Sequence, residues 1–297
     1  MTGNKKWRDT LISYIFCAPA YTVFTLFIFV PIIWAFVLSF YDFSILTYLT
    51  PDFVGLRNYI RMVNDSYFWE ALFNTFHFSA IYVPVSILAG FVFAIMLNER
   101  FPGRNFFRLA IFIPVVVSMV VASIVWLMIL SPSSAGFANR IVGSFGIDPQ
   151  GWLTQSNLAM NSIILVMVWK NFGFNMLIYL SGLQSIPDEF YQAAELDGAS
   201  RFQRIIKITL PLVRPTTFFL LVTTTINAFQ IFTPIYLMTG GGPGYSTTTI
   251  VNYLYMKGFQ EFEMGYASAI SVILFGILLL FTLIQKRISK SSDEAIV

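Results

Sequence analysis

The chain is poor in the residues that soluble chemistry draws on. It has one cysteine and one histidine. A lone cysteine makes no disulfide within the chain, and no Cys/His metal cluster can form from one of each. Cys17 sits in an apolar run, which predicts a buried structural thiol. His77 lies in another, which predicts packing or an interhelical hydrogen bond ahead of any ligand role. Charge is scarce as well: 11% of residues are Asp, Glu, Lys or Arg, against about 25% in soluble domains. No Ser/His/Asp constellation, phosphate-cradling glycine loop or pair of active-site carboxylates is visible, so the chain alone does not read as an enzyme. A net charge of +3 does not point to a nucleic-acid partner.

What remains is apolar. Hydrophobic residues make up 57% of the chain, with 32 Phe and 14 Tyr among them, a composition that suits helices bathed in lipid and belted at the interface. Stretches of about 20 apolar residues, the length that crosses a bilayer, occur at Leu11–Phe40, Phe73–Leu97, Phe107–Leu130, Leu158–Leu183, Thr216–Leu237 and Tyr266–Ile284. The sequence thus predicts an all-α membrane protein with six transmembrane helices, a single transmembrane domain over residues 1–297. A cleaved signal peptide ending near Ala18-Pro19-Ala20 is the competing reading of the start. The apolar run continues to Phe40, too long for a signal peptide.

Lys and Arg set the orientation. Lys5, Lys6, Arg8, Arg100, Arg104, Arg108, Arg201, Arg204, Lys207, Arg214, Lys286, Arg287 and Lys290 fall on one side, 13 of the 18. Arg57, Arg61, Arg140 and Lys257 fall on the other. Both termini are therefore expected in the cytoplasm. Prolines 31, 84, 114 and 234 lie inside spans, where each removes a backbone bond that neighbours, hydroxyls or water must replace. Either they reflect the tolerance of membrane helices for proline, or they curve the bundle around a cavity.

Between spans four and five, residues 185–211 carry a dense set of local signals. Ser185 is expected to cap a helix, with Pro187, Asp188 and Glu189 in its first turn. Gly198 suits a left-handed C-terminal position. Ser200 and Gln203 form a capping box that opens a second helix, and Pro211 and Pro215 are expected to stop it and open span five. Ala193, Ala194 and Ala199 keep one surface small, while Phe190, Tyr191, Phe202 and Ile206 offer apolar contacts. An interfacial helix lying on the membrane is the plain alternative.

This segment resembles the cytoplasmic coupling loop of ABC importer permeases. That loop carries a Glu-Ala-Ala motif, then Asp-Gly-Ala and a Leu-Pro close. Here the residues are Gln192-Ala193-Ala194, Asp197-Gly198-Ala199 and Leu210-Pro211, with Gln192 in place of the family's Glu. Further segments are similar to the carbohydrate branch: Phe53–Tyr59, Asn74-Thr75, Leu97-Asn98, Phe106–Arg108, Phe112–Pro114, Leu180–Pro187, Thr239–Pro243 and Gly265–Ala267. The resemblance spans nearly the whole chain and implies a permease subunit of a sugar importer in a bacterial or archaeal cytoplasmic membrane. It also implies a second permease chain, two cytoplasmic ATPase protomers holding ATP and Mg, and an extracytoplasmic binding protein that delivers the sugar. This chain itself is expected to hold no cofactor. An importer of a non-sugar solute, an ion-coupled secondary transporter and a membrane scaffold are the rival readings.

Lys170 falls near the middle of span four. Lysine at the bilayer centre costs at least about 2.5 kcal/mol, and every Asp and Glu lies outside the spans. Lys170 is either a structural lysine bonded across helices or a cavity residue that meets sugar hydroxyls or an anionic group. Asn171, Phe174 and Asn175 add polar and stacking capacity beside it. In span five, Thr223, Asn227 and Gln230 are spaced to share one helix face. They serve either interhelical hydrogen bonding or a sugar pathway. The Gly240-Gly241-Gly242-Pro243 turn is either a plain turn or a contact for the binding protein.

Overall fold

The computed structural model describes residues 3–44, 46, 51–99 and 101–293. Arg100, one of the expected cytoplasmic cations, lies outside them, as do the side chains of Lys5, Lys6, Arg8 and Lys290. The chain divides into two compact units, Met1–Asp65 with Leu254–Gly276, and Ser66–Tyr253 with Ile277–Val297.

The first unit opens with α1 (Gly3–Phe24), a π turn over Thr25–Phe29 and α2 (Val30–Leu38). Pro31 enters at the start of α2, just past the π turn, where a missing N–H is tolerated. The span Ile12–Leu38 is wholly unburied by this chain. Cys17 is exposed along with it, contrary to the buried thiol that its apolar run predicted: an apolar neighbourhood in sequence does not say whether protein or lipid covers it. Strands β1 (Tyr41–Asp42) and β2 (Asp52–Phe53) pair antiparallel, and α3 (Arg57–Val63) follows. Glu263 closes the unit by accepting both guanidinium nitrogens of Arg61, at 3.0 and 2.8 Å. The same guanidinium lies 4.3 Å over the Tyr266 ring, whose hydroxyl donates to Asp65 at 2.6 Å. Gly265 admits the Tyr41 carbonyl so closely that a Cβ would sit 2.0 Å from its oxygen.

The second unit contains α4 (Ser66–Asn98), α5 (Arg104–Val116), α6 (Met119–Ile129), α7 (Phe137–Gly143), α8 (Ser156–Gln184), α9 (Asp188–Leu196), α10 (Arg201–Arg204), a π turn over Ile205–Thr209, α11 (Leu210–Leu212), α12 (Arg214–Phe229) and α13 (Thr233–Met238). Helix α14 (Ile250–Tyr255) begins in it, and a π turn over Met256–Gln260 leads to α15 (Met264–Asp293). The described residues hold five helices long and apolar enough to cross a membrane, six if the bent pair α5–α6 is one span. That matches the all-α reading with six transmembrane helices. The third span differs from a straight helix: α5 and α6 meet at 98°. Val117 and Ser118 are extended, at ψ 135° and 138°. Pro114 precedes the break, whereas Pro84 lies within an uninterrupted α4 and Pro234 occupies the first turn of α13.

Helix α4 packs most extensively on α8. At Gly90 a Cβ would lie 2.6 Å from Asn175 Cβ and 3.0 Å from the Met176 nitrogen, so only glycine lets the helices meet there. Lipid supplies no hydrophobic drive between helices; close approach and polar bonds do that work. His77 is half-buried and stacks on Phe73. Gly90→Leu is expected to cost about 1–3 kcal/mol by overpacking. It should lower the thermal midpoint of the solubilised protein, while Gly276→Leu, where a Cβ meets nothing within 4 Å, should not.

Candidate functional site

Two places in the second unit gather the residues singled out in the sequence. The first is a cavity of about 340 Å³ among α4, α6, α8 and α12. Helix α8 supplies Met167, Lys170, Asn171, Phe174 and Asn175, at spacings that keep them on one face. Helix α12 supplies Thr223, Thr224 and Asn227, with Tyr82 from α4 and Met119 from α6.

Lys170 is 6% exposed and donates to the Val115 carbonyl at 2.8 Å. Val115 lies in the last turn of α5, where helix carbonyls have no partner within the helix and a cation suits the dipole. Gly173, one turn on, lets the Ile111 carbonyl in, since a Cβ would meet its oxygen at 2.3 Å. Lys170 and Gly173 thus seat the end of α5 against α8 beside the break in the third span. Asn175 donates to Ser86 Oγ at 2.9 Å. The Tyr82 hydroxyl lies beside Asn171 and Ser86, and its ring stacks on Phe78 at 5.1 Å. Thr223 donates back to the Phe219 carbonyl at 2.9 Å. Phe174 is 42% exposed, leaving its ring free to stack.

Lys170, Asn171, Phe174, Asn175, Thr223 and Asn227 therefore come together, and Gln230 does not line the cavity. Helix α12 ends at Phe229, and Gln230 is its C-cap with φ −96° and ψ 14°, so helical spacing no longer aims it along the same face. Sequence reasoning missed Tyr82 and Thr224. The signal for Tyr82 was faint: with Ser79 and Ser86 it makes a polar stripe at helical spacing within an otherwise apolar helix.

The second place is the loop. Helix α9 ends in Gly198 at φ +72°, the left-handed region that favours glycine. The capping box is complete: the Gln203 amide donates to Ser200 Oγ at 3.3 Å, and the Ser200 amide donates to Gln203 Oε1 at 2.8 Å. One expectation needs correction. Ser185 is the C-cap of α8, its hydroxyl bonded to the Gly182 carbonyl, and Pro187 takes the N-cap of α9 without a side-chain bond. A π turn over Ile205–Thr209 leads into α11, which holds Pro211 and ends at Leu212. Val213, at φ −90° and ψ 7°, separates it from α12, whose first turn holds Pro215, so the two prolines flank the end of the second helix and the start of span five as expected.

Gln192, Ala193, Asp197 and Gly198 are exposed, while Ala194 and Ala199 are half-buried. Leu210 is exposed and Pro211 half-buried. Leu196 is 90% exposed and Phe202 70%, an apolar surface on a loop outside the spans. Underneath, the Arg201–Glu99 ion pair ties the loop to the end of α4, Arg204 reaches Glu195 at 3.7 Å, and Tyr191 bonds Thr209 at 3.0 Å.

A model of the family described as binding-protein-dependent transport system inner membrane component matches residues 83–293, more than half of the chain. The chain belongs to this family. It is a multi-pass membrane protein, and its family is one of transport components. Among relatives, it is 36% identical over 291 residues to the trehalose/maltose transport system permease protein MalF of Thermococcus litoralis, covering 98% of this chain and 97% of that one. It is 36% identical over 298 residues to the arabinooligosaccharides transport system permease protein AraP of Bacillus subtilis, covering 96% and 92%. Its fold is similar to a chain of a bacterial alginate ABC transporter solved with a periplasmic protein bound to an alginate pentasaccharide. The TM-score is 0.85 at 25% identity, covering 97% and 96%.

The loop geometry has a direct test. Ser200→Ala removes the cap and is expected to cost about 1 kcal/mol. Hydrogen exchange of the Gln203 and Arg204 amides should then speed up about five-fold, with the α8 amides unchanged.

Proposed function

We propose that this chain is one permease subunit of an ATP-driven, binding-protein-dependent sugar importer, and that it works by alternating access. The observation that carries the reading is the elbow at Gly198. It joins two short helices into an exposed apolar surface, tied to the end of α4 and followed by α12. Such a surface outside the spans calls for a protein groove to cover it. In this reading residues 1–297 act as one transmembrane domain and 185–211 are its coupling segment. That segment docks on a cytoplasmic ATPase through Gln192, Ala193, Ala194, Asp197, Gly198, Ala199, Leu210 and Pro211. Two ATPase protomers bind ATP and Mg, and a second, different permease chain completes the pathway. A binding protein delivers the sugar at the outer face. Both termini lie in the cytoplasm of a bacterial or archaeal cell.

The sugar assignment follows the relatives, whose names give trehalose/maltose and arabinooligosaccharides as what their systems transport. The cavity chemistry suits it. Asn171, Asn175 and Asn227 offer amides to hydroxyl groups, Thr223 adds a hydroxyl, and Phe174 offers a ring to the apolar face of a pyranose.

Ala193→Trp places bulk on an exposed position and should leave the fold intact. A pull-down of the tagged chain from its native membrane should capture a nucleotide-binding ATPase and a second permease. The variant should lose the ATPase and keep the permease. A wild-type chain that emerges alone and transports unaided would sink the importer reading. In the assembled complex, Asn227→Ala should raise the sugar concentration that half-stimulates ATP hydrolysis about five-fold, the worth of one hydrogen bond. Gln230→Ala, outside the cavity lining, should leave it unchanged.

A further inference from the structure

We propose that the cavity selects sugars carrying an anionic group, a carboxylate, sulfate or phosphate, with Lys170 as the countercharge. The inference rests on the reading of this cavity as the sugar site. Among the described residues Lys170 is the only charged one in the lining, and the polar residues around it carry amides and hydroxyls. Its side chain is 94% withdrawn from solvent, being 6% exposed. One of its three N–H groups goes to the Val115 carbonyl, a neutral acceptor that leaves the charge in place. Among the described residues, the lining holds no Asp or Glu to balance it.

A neutral sugar has no use for that charge. Its hydroxyls are served by Asn171, Asn175, Asn227 and Thr223. The C-terminal dipole of α5 at Val115 meets about half an elementary charge, which leaves the ammonium only partly balanced. A full positive charge held away from water is costly unless something pairs with it. An anion on the substrate fits the vacancy in charge, and the low dielectric strengthens the attraction. The same charge discriminates, since a site that meets an anion well gains little from a neutral analogue of equal shape.

The test uses the intact complex of this chain, its permease partner and its ATPase in nanodiscs, with binding read by calorimetry. The probes are cellobiouronic acid, its methyl ester, and the neutral disaccharides cellobiose and maltose. The acid should bind at least about ten-fold tighter than the ester, as a charge-assisted hydrogen bond implies. Lys170→Gln, which keeps a donor for the Val115 carbonyl, should abolish that preference by weakening the acid about ten-fold more than the ester, and Lys170→Arg should keep it. Equal or tighter binding of the ester to the wild type overturns the proposal without any variant. So does a Lys170→Gln protein that loses acid and ester alike, which would make Lys170 a purely structural donor. Binding of cellobiose or maltose with no preference for the acid leaves the sugar reading standing and overturns this inference alone. If no sugar binds or stimulates ATP hydrolysis, both fall.

Discussion

The second unit depends on the seam where α4 meets α8 at Gly90. In lipid, apolar side chains gain nothing by leaving the solvent for one another, so contact must come from tight packing and from polar groups that find partners only in each other. Gly90 provides the first and the Asn175–Ser86 bond the second, and both involve Asn175. Its Cβ fills the space that glycine leaves, while its amide closes the bond to α4. The face of α8 that carries Lys170, Asn171 and Phe174 takes its position from this seam.

The bend in the third span is the second constraint. A helix broken inside the apolar region leaves carbonyls without partners, a cost of several kcal/mol each in hydrocarbon. At Val115 the Lys170 ammonium meets one of them. Gly173 lets the backbone of α5 come close enough for this to happen. The lysine is thus both a lid on a helix end and a lining of the cavity, so the two alternatives open at the sequence level, structural and functional, are not exclusive. Burial by lipid and burial by protein look alike in a sequence, and so do a lysine that caps and a lysine that binds.

Legibility followed the physics of each signal. Spans were readable because bilayer thickness fixes a length of apolar chain, and the helix starting at Ser156 sits within two residues of the apolar run that announced it. The Gly198 turn and the Ser200–Gln203 box were readable because both are local and each residue type has one strong use there. Ser185 misled because a serine before a proline serves a helix end as readily as a helix start. Pro211 and Pro215 were readable because a ring without a donor belongs at a helix edge, and they flank the break at Val213. The exposure of Cys17 and the loss of Gln230 from the cavity depended on tertiary packing and on where α12 ends. Tyr82 hid among apolar neighbours because an aromatic ring is at home in lipid, and only the folded bundle sets it in the cavity beside Asn171.

The break at Val213 has a mechanical meaning. The second loop helix ends at Leu212 and α12 begins at Arg214, so the two meet at one residue, with φ −90° and ψ 7°, that caps both. Its N–H bonds the Thr209 carbonyl on one side, and its carbonyl accepts the Thr217 N–H on the other. At about 1.5 Å per residue, α12 is roughly 24 Å long, with Val213 at one end and Thr223 and Asn227 near the other. A joint at the end of a straight lever magnifies rotation with distance, so a small change of angle at Val213 would displace the cavity wall further than it displaces the joint.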